Sequence, residues 1–330
     1  MMNLLRIILA SAILLLSVQE AHAQAIRDSA TIQSGEASLF LEIRGADSTK
    51  PVVLFLHGGP ADPFNVLTFM AYPGAELEQS FLMVYLYQRG IGKSGSAPVE
   101  SQTMAQHIQD VDRVVDYLRR RFRTSTVSLI GHSWGGSLST AYVLEHGDKI
   151  ARLVAVAGPL SNPRGDRESY RIAMEAARAR QNAEAIQALE QIGPPPWTSL
   201  DQLMVERRWA GRLSSGPTVQ IDRGRVLQAG GYERPDSRWD EVQMGIIAQM
   251  APEVSRLDLE PRLSGGRTPL LLIACGRDPI VPPASLRPGF DNYGGPKQWA
   301  LFEDSRHNPF MDARERFIAV VTAFLQDRAS

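Results

Sequence analysis

A serine stands in a sequence pattern that could supply the nucleophile for acyl transfer. The segment Gly131-His132-Ser133-Trp134-Gly135 is a G-x-S-x-G pattern, which directly follows an apolar run at residues 126–130 and directly precedes a segment with helical spacing. In a tight turn from a strand to a helix the serine hydroxyl stands clear of the sheet, and the two glycines let neighbouring backbone approach closely. The sequence therefore predicts Ser133 as a catalytic nucleophile; the alternative is a chance glycine-serine loop.

A serine hydroxyl needs a base to remove its proton and a third group to orient that base. Of the six histidines, His307 is the best candidate for the base, because it lies on the loop expected between the last strand and the last helix. His57 closes a strand in a glycine-rich turn, which suggests another role. The remaining histidines are expected in the leader or at surface and packing positions: His22, His107, His132 and His146.

The orienting acid is expected between the serine and the histidine in chain order. Asp278 meets this expectation, because it directly follows the apolar run at residues 269–275 and can reach the histidine from a loop. Asp291 and Asp304 are rival candidates, but neither follows a strand end so directly. A turn aspartate that merely precedes a proline is the structural alternative for Asp278.

The charge that develops on a substrate carbonyl oxygen needs hydrogen-bond donors. The segment His57-Gly58-Gly59-Pro60 follows the apolar run at residues 52–56 and offers backbone N–H groups at the carboxyl edge of a sheet. We predict that the N–H groups of Gly59 and Trp134 form an oxyanion hole. The alternative is an ordinary glycine turn.

The elements that must position these groups indicate an α/β fold. Near-continuous apolar runs predict strands buried on both faces, as in a parallel sheet. These runs are residues 52–56, 81–87, 126–130 and 153–157, with further strands at 269–275 and 298–302. Residues 30–33 and 38–44 are expected to form an antiparallel hairpin at the sheet edge, and helices are expected at 102–121, from Trp134 onward, and at 309–326.

Strand signals stop between residues 160 and 250, where the composition turns to Ala, Arg, Glu and Gln. This change predicts a helical cap inserted into one sheet domain. The expected organisation is a signal peptide at 1–23, the first part of the core at 24–159, the cap at 160–250 and the second part of the core at 251–330.

Composition excludes several other classes of protein. The 330 residues carry 35 basic and 36 acidic side chains, for a net charge of −1, so no broad basic surface for nucleic acid is expected. Cys275 is the only cysteine, which excludes an intrachain disulfide and a multi-cysteine metal site. No H-E-x-x-H pair is present, and the G-x-G-x-x-G match at residues 90–95 leads to Pro98 rather than into a helix. We expect neither a metal nor a cofactor.

The amino-terminal residues have the pattern of a secretory leader. One positive charge lies within residues 1–6, residues 7–18 are uncharged, and Ala21-His22-Ala23 has the small-x-small form that a signal peptidase cleaves. The alternative is a membrane anchor, although a spanning helix needs about 20 apolar residues. We expect cleavage after Ala23, a periplasmic or secreted protein, and no stable membrane association afterwards.

Three motifs together resemble the α/β-hydrolase fold and, within it, the proline iminopeptidase group of serine peptidases. His57-Gly58-Gly59-Pro60 is similar to the HGGPG of that group, residues 88–94 are similar to DQRGxGxS, and residues 131–136 are similar to GxSWGG. The resemblance implies an α/β-hydrolase core with an inserted cap, a Ser-His-Asp triad, and an aminopeptidase whose partners are short peptides or other small substrates.

Departures from the group's motifs leave the substrate open. Ala61 replaces the last glycine of HGGPG, Tyr87 stands in place of the aspartate of DQRG, and Trp209 is followed by Ala210, where the group tends to carry a glutamate that holds the substrate's amino end. Glu206, one helical turn before Trp209, is a candidate substitute, and a solvated helix surface is its other explanation.

Glu206 and Trp209 are accordingly the candidate substrate-binding residues of the cap, with packing as the alternative role of Trp209. Two other functions remain open at the level of sequence. One is an esterase or lactonase that acts on small carboxylic esters with the same triad. The other is a protein that keeps the fold and binds a small ligand without efficient turnover.

Overall fold

The computed structural model describes residues 25–216 and 219–327. The predicted leader and its cleavage site after Ala23 lie outside the described residues. None of the helices in the described ranges has the length and apolar content needed to cross a bilayer.

The described residues form an eight-stranded, mostly parallel sheet with the strand order β1-β2-β4-β3-β5-β6-β7-β8. Strand β2 pairs antiparallel with both β1 and β4, and β3 to β8 are parallel to one another. The strands are β1 Ile26–Ser34, β2 Ala37–Gly45, β3 Val52–Leu56, β4 Leu82–Tyr87, β5 Val127–His132, β6 Ile150–Val156, β7 Leu270–Cys275 and β8 Lys297–Phe302. This arrangement confirms the predicted α/β-hydrolase fold class, including the antiparallel hairpin at the edge.

The central strands lie between two apolar layers, which explains their near-continuous apolar sequences. Along β3, Leu54 packs into one core cluster, whereas Val53 and Phe55 pack into the cluster on the opposite face. Successive side chains of a strand point to opposite faces, so a strand covered on both sides must be apolar throughout.

Helices of the core cover both faces of the sheet. They are α1 Pro63–Phe69, α2 Ala75–Ser80, α3 Met104–Arg121, α4 Trp134–His146, α10 Pro283–Asn292, α11 Pro309–Asp312 and α12 Arg314–Gln326. The helix predicted over 102–121 begins at Met104, because the Thr103 side chain accepts from the N–H of Gln106 and caps it. The predicted terminal helix is divided at Ala313, whose φ of −140° and ψ of 50° are not helical.

The chain between β6 and β7 is helical where it is described. Its helices are α5 Asn162–Ala179, α6 Ala183–Ile192, α7 Leu200–Leu213, α8 Arg223–Ala229 and α9 Trp239–Val254. Helices α5, α6 and α7 share an apolar cluster of their own, whereas α8 and α9 contribute side chains to the two core clusters. We call this stretch the cap; the division of the chain into domains stays a prediction.

Candidate active site

Ser133 lies at the junction between β5 and α4 in a strained backbone conformation. Its φ is 52° and its ψ is −121°, a region that costs a non-glycine residue about 1–3 kcal/mol. The Ser133 N–H donates to the carbonyl of Val156 at 2.9 Å, and the Ser133 carbonyl accepts from the N–H of Gly136 at 2.8 Å. These contacts hold the turn that the G-x-S-x-G pattern predicted.

The glycines of the pattern are required by close backbone contacts. A Cβ on Gly135 would lie 2.0 Å from the carbonyl oxygen of Leu56, and a Cβ on Gly131 would lie 2.2 Å from the carbonyl oxygen of Gly135. Helix α4 can therefore approach β3 closely only without a side chain at Gly135, and it can approach β5 closely only without one at Gly131.

His307 and Asp278 are in direct contact, although they are 29 residues apart in the chain. The Nδ1 atom of His307 lies 2.7 Å from Oδ2 of Asp278, and the Asp278 side chain is fully buried. The second carboxylate oxygen, Oδ1, accepts from the N–H groups of Ile280 at 2.8 Å and Val281 at 3.0 Å. Because a carboxylate accepts, Nδ1 of His307 carries a hydrogen, and Nε2 is left to accept a proton.

The rival aspartates are engaged elsewhere. Asp291 pairs with Arg287 on the exposed surface of α10 at 2.9 Å, and Asp304, also exposed, pairs with Arg277 at 2.7 Å. Of the three candidates, the structure brings Asp278 to His307.

The His57-Gly58-Gly59-Pro60 turn packs directly against the turn at Ser133. A Cβ on Gly58 would lie 3.1 Å from the Cβ of Ser133, and Gly59 has a φ of 129°, which favours glycine. The Gly58 N–H donates to Oδ1 of Asn65 at 2.8 Å. For the N–H groups of Gly59 and Trp134, the described residues offer no hydrogen-bond acceptor, so both are available to a substrate oxygen.

Gln88 ties the glycine turn to the turn at Ser133. Its side-chain N–H donates to the carbonyl of His57 at 2.9 Å, its backbone N–H donates to Nε2 of His57 at 3.2 Å, and its side-chain oxygen accepts from the indole N–H of Trp134 at 3.0 Å. Burial lowers the pKa of His57 to about 4, so this histidine is neutral. The role that its position suggested is therefore to support the turn.

Arg89, the next residue of the same motif, is also a supporting residue. It forms a buried two-pronged ion pair with Asp110 on α3, at 2.6 and 2.7 Å, and Asp110 also accepts from the hydroxyl of Ser34 at 2.6 Å. The motif therefore anchors the end of β4 to α3 and to the edge hairpin.

His132 contacts the loop at residues 303–308 that carries His307, which we call the base loop. Sequence reasoning missed this contact. Its Nε2 lies 2.9 Å from the carbonyl oxygen of His307, and its Nδ1 lies 2.9 Å from Nδ2 of Asn65. The side chain is buried, and burial is the main cause that lowers its pKa to about 3. The sequence held one signal of this contact, a polar ring at the position before the nucleophile.

Glu206 is fully buried, so its interpretation as part of a solvated helix surface is wrong. Helix α5 covers this face of α7: the Ser169 hydroxyl lies 2.5 Å from Oε1 of Glu206, and Arg207 donates to Oε2 at 2.8 Å. Desolvation raises the pKa of Glu206. Arg207 also pairs with Asp166 at 2.7 Å, which makes a half-buried ionic cluster within the cap.

Trp209 packs inside the cap. Its ring is nearly buried in the apolar cluster shared by α5, α6 and α7, beside residues such as Ala173 and Leu213, and the Arg212 guanidinium lies 5.3 Å from the ring centroid. These contacts agree with a packing role; a contact of Glu206 or Trp209 with substrate stays a prediction.

The cap contacts both loops that carry the pair of Asp278 and His307. The acid loop is residues 276–282, which carry Asp278. The Ser169 hydroxyl lies 2.6 Å from the Pro279 carbonyl oxygen of this loop, and the Ser214 hydroxyl donates to the Arg277 carbonyl at 3.0 Å. On the base loop, Arg306 donates to the carbonyl of Gly211 at 3.0 Å. Helix α7 and the segment after it therefore lie against the site.

We searched the described residues for groups of side chains that could bind a metal ion. No three His, Cys, Asp or Glu side chains within residues 25–216 and 219–327 are grouped so that they could hold an ion.

Comparison with known proteins identifies the family of the chain. The model of the alpha/beta hydrolase family matches residues 53–320. The chain is 25% identical over 292 residues to the "probable aminopeptidase YbaC" of Bacillus subtilis, covering 86% of this chain and 91% of that protein. It is 24% identical over 282 residues to a proline iminopeptidase of Clostridioides difficile, covering 84% of this chain and 90% of that protein.

A crystal structure of proline iminopeptidase from Mycobacterium smegmatis shares the fold, with a TM-score of 0.65 and 17% identity over 90% of this chain and 97% of that chain. The family model spans most of the chain and includes Ser133, Asp278 and His307. The chain therefore belongs to the α/β-hydrolase family and is a hydrolase similar to the proline iminopeptidases.

Proposed function

We propose that the protein is a serine hydrolase that works through an acyl-enzyme, with Ser133, His307 and Asp278 as its catalytic triad. The observation that carries the proposal is the 2.7 Å contact between His307 and a fully buried Asp278. This contact leaves Nε2 of His307 to accept a proton. Ser133 supplies a hydroxyl on a strained turn from a strand to a helix, as the nucleophiles of α/β-hydrolases do.

In the first step, His307 takes the hydroxyl proton while Oγ of Ser133 bonds to the substrate carbonyl carbon. The bond from that carbon to the leaving nitrogen or oxygen then breaks, and the leaving group takes the proton from His307. In the second step, His307 takes a proton from water, the hydroxide attacks the acyl-enzyme, and the acid product leaves as Ser133 regains its proton.

The N–H groups of Gly59 and Trp134 form the proposed oxyanion hole. Their support is that both groups have no acceptor among the described residues and flank the position of Ser133. Each such donor contributes about 3 kcal/mol to the transition state, which corresponds to about a hundredfold in rate.

For the substrate, we propose short peptides from which an amino-terminal proline or another small residue is released. The support is the similarity of the chain to the two curated peptidases and the motifs shared with the proline iminopeptidase group. The products would be a free amino acid and a shortened peptide.

An esterase or lactonase is the second candidate, and the contacts of Glu206 favour it. Both carboxylate oxygens of Glu206 already have partners, Ser169 and Arg207. An aminopeptidase needs a group that holds the substrate's positive amino end, whereas a small ester needs none.

We also propose that the protein acts in the periplasm or outside the cell, after removal of residues 1–23. The support is the charge and apolar pattern of those residues. Amino-terminal sequencing of the protein isolated from a secreting host tests it: Gln24 as the first residue supports export, and an intact Met1 in the cytoplasm contradicts it.

A substrate panel tests the catalytic proposal. The mature protein and its Ser133→Ala variant are compared on proline-β-naphthylamide, an N-blocked version of the same amide, and p-nitrophenyl acetate. Preference for the free amine supports the peptidase, and preference for the ester supports the second candidate. No turnover of any acyl substrate, or equal turnover by Ser133→Ala, contradicts the serine hydrolase and leaves ligand binding as the function.

A further inference from the structure

A buried chain of hydrogen bonds joins the His57-Gly58-Gly59-Pro60 turn to the base loop; because Gly59 is a proposed oxyanion donor, we call this turn the oxyanion turn. It runs from the Gly58 N–H to Asn65 at 2.8 Å, from Asn65 to His132 at 2.9 Å, and from His132 to the carbonyl oxygen of His307 at 2.9 Å. Asn65 lies on α1 and His132 at the end of β5, so the chain connects segments that are far apart in sequence.

The two ends of this chain fix every proton within it. The Gly58 N–H can only donate, so the side-chain oxygen of Asn65 accepts and its NH₂ group is turned toward Nδ1 of His132. Nδ1 of His132 lies 2.9 Å from Nδ2 and 3.2 Å from Oδ1 of Asn65. Because the carbonyl oxygen of His307 can only accept, Nε2 of His132 carries the hydrogen, and Nδ1 of the neutral ring accepts from the NH₂ group of Asn65. The opposite amide orientation would place the NH₂ group of Asn65 against the Gly58 N–H.

The surroundings of His132 keep its ring in place. The ring stands edge-on to Phe310 with centroids 5.0 Å apart, and its centroid is 4.9 Å from that of His307. The titratable groups that affect it are His307 and the buried His57. A neutral His132 can donate to the base loop without repelling the imidazolium that His307 becomes during the reaction.

We propose that His132 is a positioning residue, which together with Asn65 sets the separation between the oxyanion turn and the catalytic base. The inference rests on the proposed triad, and it adds that the residue before the nucleophile holds the backbone of His307. Without the donor at Nε2, the base loop loses its hydrogen bond to the end of β5, while the contacts of the cap with both loops are unchanged.

The expected effect is on the chemical step. Displacement of a catalytic group by about 1 Å costs on the order of a hundredfold in rate. We therefore expect His132→Phe, which keeps a ring against Phe310 but removes both polar contacts, to lower kcat about a hundredfold and to change KM by less than about threefold.

His132→Gln provides the rescue. Its side-chain N–H can occupy the place of Nε2 and donate to the His307 carbonyl, so we expect kcat to recover to within about tenfold of the wild type. A merely structural role of His132 would not produce this recovery, because glutamine fills the space beside Phe310 less well than phenylalanine does.

His107→Phe is the matched control. His107 is equally buried, stands edge-on to Trp134 with centroids 5.6 Å apart and bonds to Gln102 at 3.0 Å, but it has no contact with the base loop. We expect a lower Tm with kcat within about twofold of the wild type. Rates are expressed per active site, titrated with a fluorophosphonate.

Imidazole ¹⁵N NMR adds a readout that does not depend on activity. A neutral His132 with its hydrogen on Nε2 supports the proposal, and a hydrogen on Nδ1 overturns it whether or not the protein hydrolyses any substrate. A folded His132→Phe with wild-type kcat also overturns the proposal. If His132→Phe does not fold, the ¹⁵N signals of His307 are compared between wild type and His132→Gln. In a folded His132→Gln, a shift of these signals to their positions in unfolded protein overturns the proposal as well. Loss of all activity in the wild type would count against the triad alone.

Discussion

The replacement Asp278→Asn removes one charge and reverses one hydrogen bond. The oxygen that accepts from the N–H groups of Ile280 and Val281 must remain an oxygen, because an NH₂ group there would face two donors. The amide NH₂ is therefore directed at His307. Nδ1 of His307 then has to accept, and the hydrogen moves to Nε2, the atom that takes the proton of Ser133 in the proposed mechanism.

The wrong tautomer at the base determines the size of the effect. The equivalent replacement in serine proteases leaves the geometry intact and lowers kcat about 10⁴-fold, which corresponds to about 5.5 kcal/mol of transition-state stabilisation. Because the carboxylate of Asp278 is fully buried and in contact with His307 at 2.7 Å, we expect a loss of the same order here.

The assay is kcat/KM for the best substrate of the panel, measured beside a control. Asp304→Asn is the matched control, because this rival aspartate pairs with Arg277 on the exposed surface and its loss is expected to change kcat/KM less than twofold. Circular dichroism confirms that both variants fold. A kcat/KM of Asp278→Asn within tenfold of the wild type would show that Asp278 does not set the tautomer of a catalytic His307.

Three further predictions concern carboxylates that are buried or half-buried in the fold. Asp110→Asn leaves the buried guanidinium of Arg89 unpaired and is expected to cost about 3–5 kcal/mol of unfolding free energy in urea titrations; a loss under 1 kcal/mol would contradict this. Desolvation raises the pKa of Asp62 to about 6, so ionisation of Asp62 destabilises the fold as pH rises from about 4 to 6. The difference in Tm between Asp62→Asn and the wild type should therefore be more positive at pH 7.5 than at pH 4, and the opposite trend would contradict this. Because Glu206 already has partners on both oxygens, Glu206→Gln is expected to change KM for proline-β-naphthylamide less than about threefold; a rise above tenfold would assign this carboxylate to the substrate's amino group.

Much of the fold followed from local patterns. A strand buried on both faces, such as residues 52–56, is recognisable from its continuous run of apolar residues. The turn at Ser133 is recognisable from Gly131 and Gly135, which the close backbone contacts require. The contact between Asp278 and His307 was predictable because parallel strands end at one edge of a sheet, so loops after different strands meet there.

The supporting residues could not be predicted, because their roles depend on tertiary contacts. Glu206 lies on a helix that looks half polar, and only the packing of α5 against α7 buries it. His132 acquires its role from Asn65, 67 residues earlier in the chain, and from a carbonyl oxygen 175 residues later. The polar ring before Ser133 indicates that His132 has a partner, but it does not identify Asn65 or the His307 carbonyl as that partner.

The proposed mechanism requires Ser133 to form a covalent bond with the substrate's acyl carbon. Peptide mass spectrometry after labelling with a fluorophosphonate shows which residue is nucleophilic. We expect a single adduct on the peptide that contains Ser133, with no labelling of Ser133→Ala. An adduct on another residue, or undiminished labelling of the variant, would contradict it.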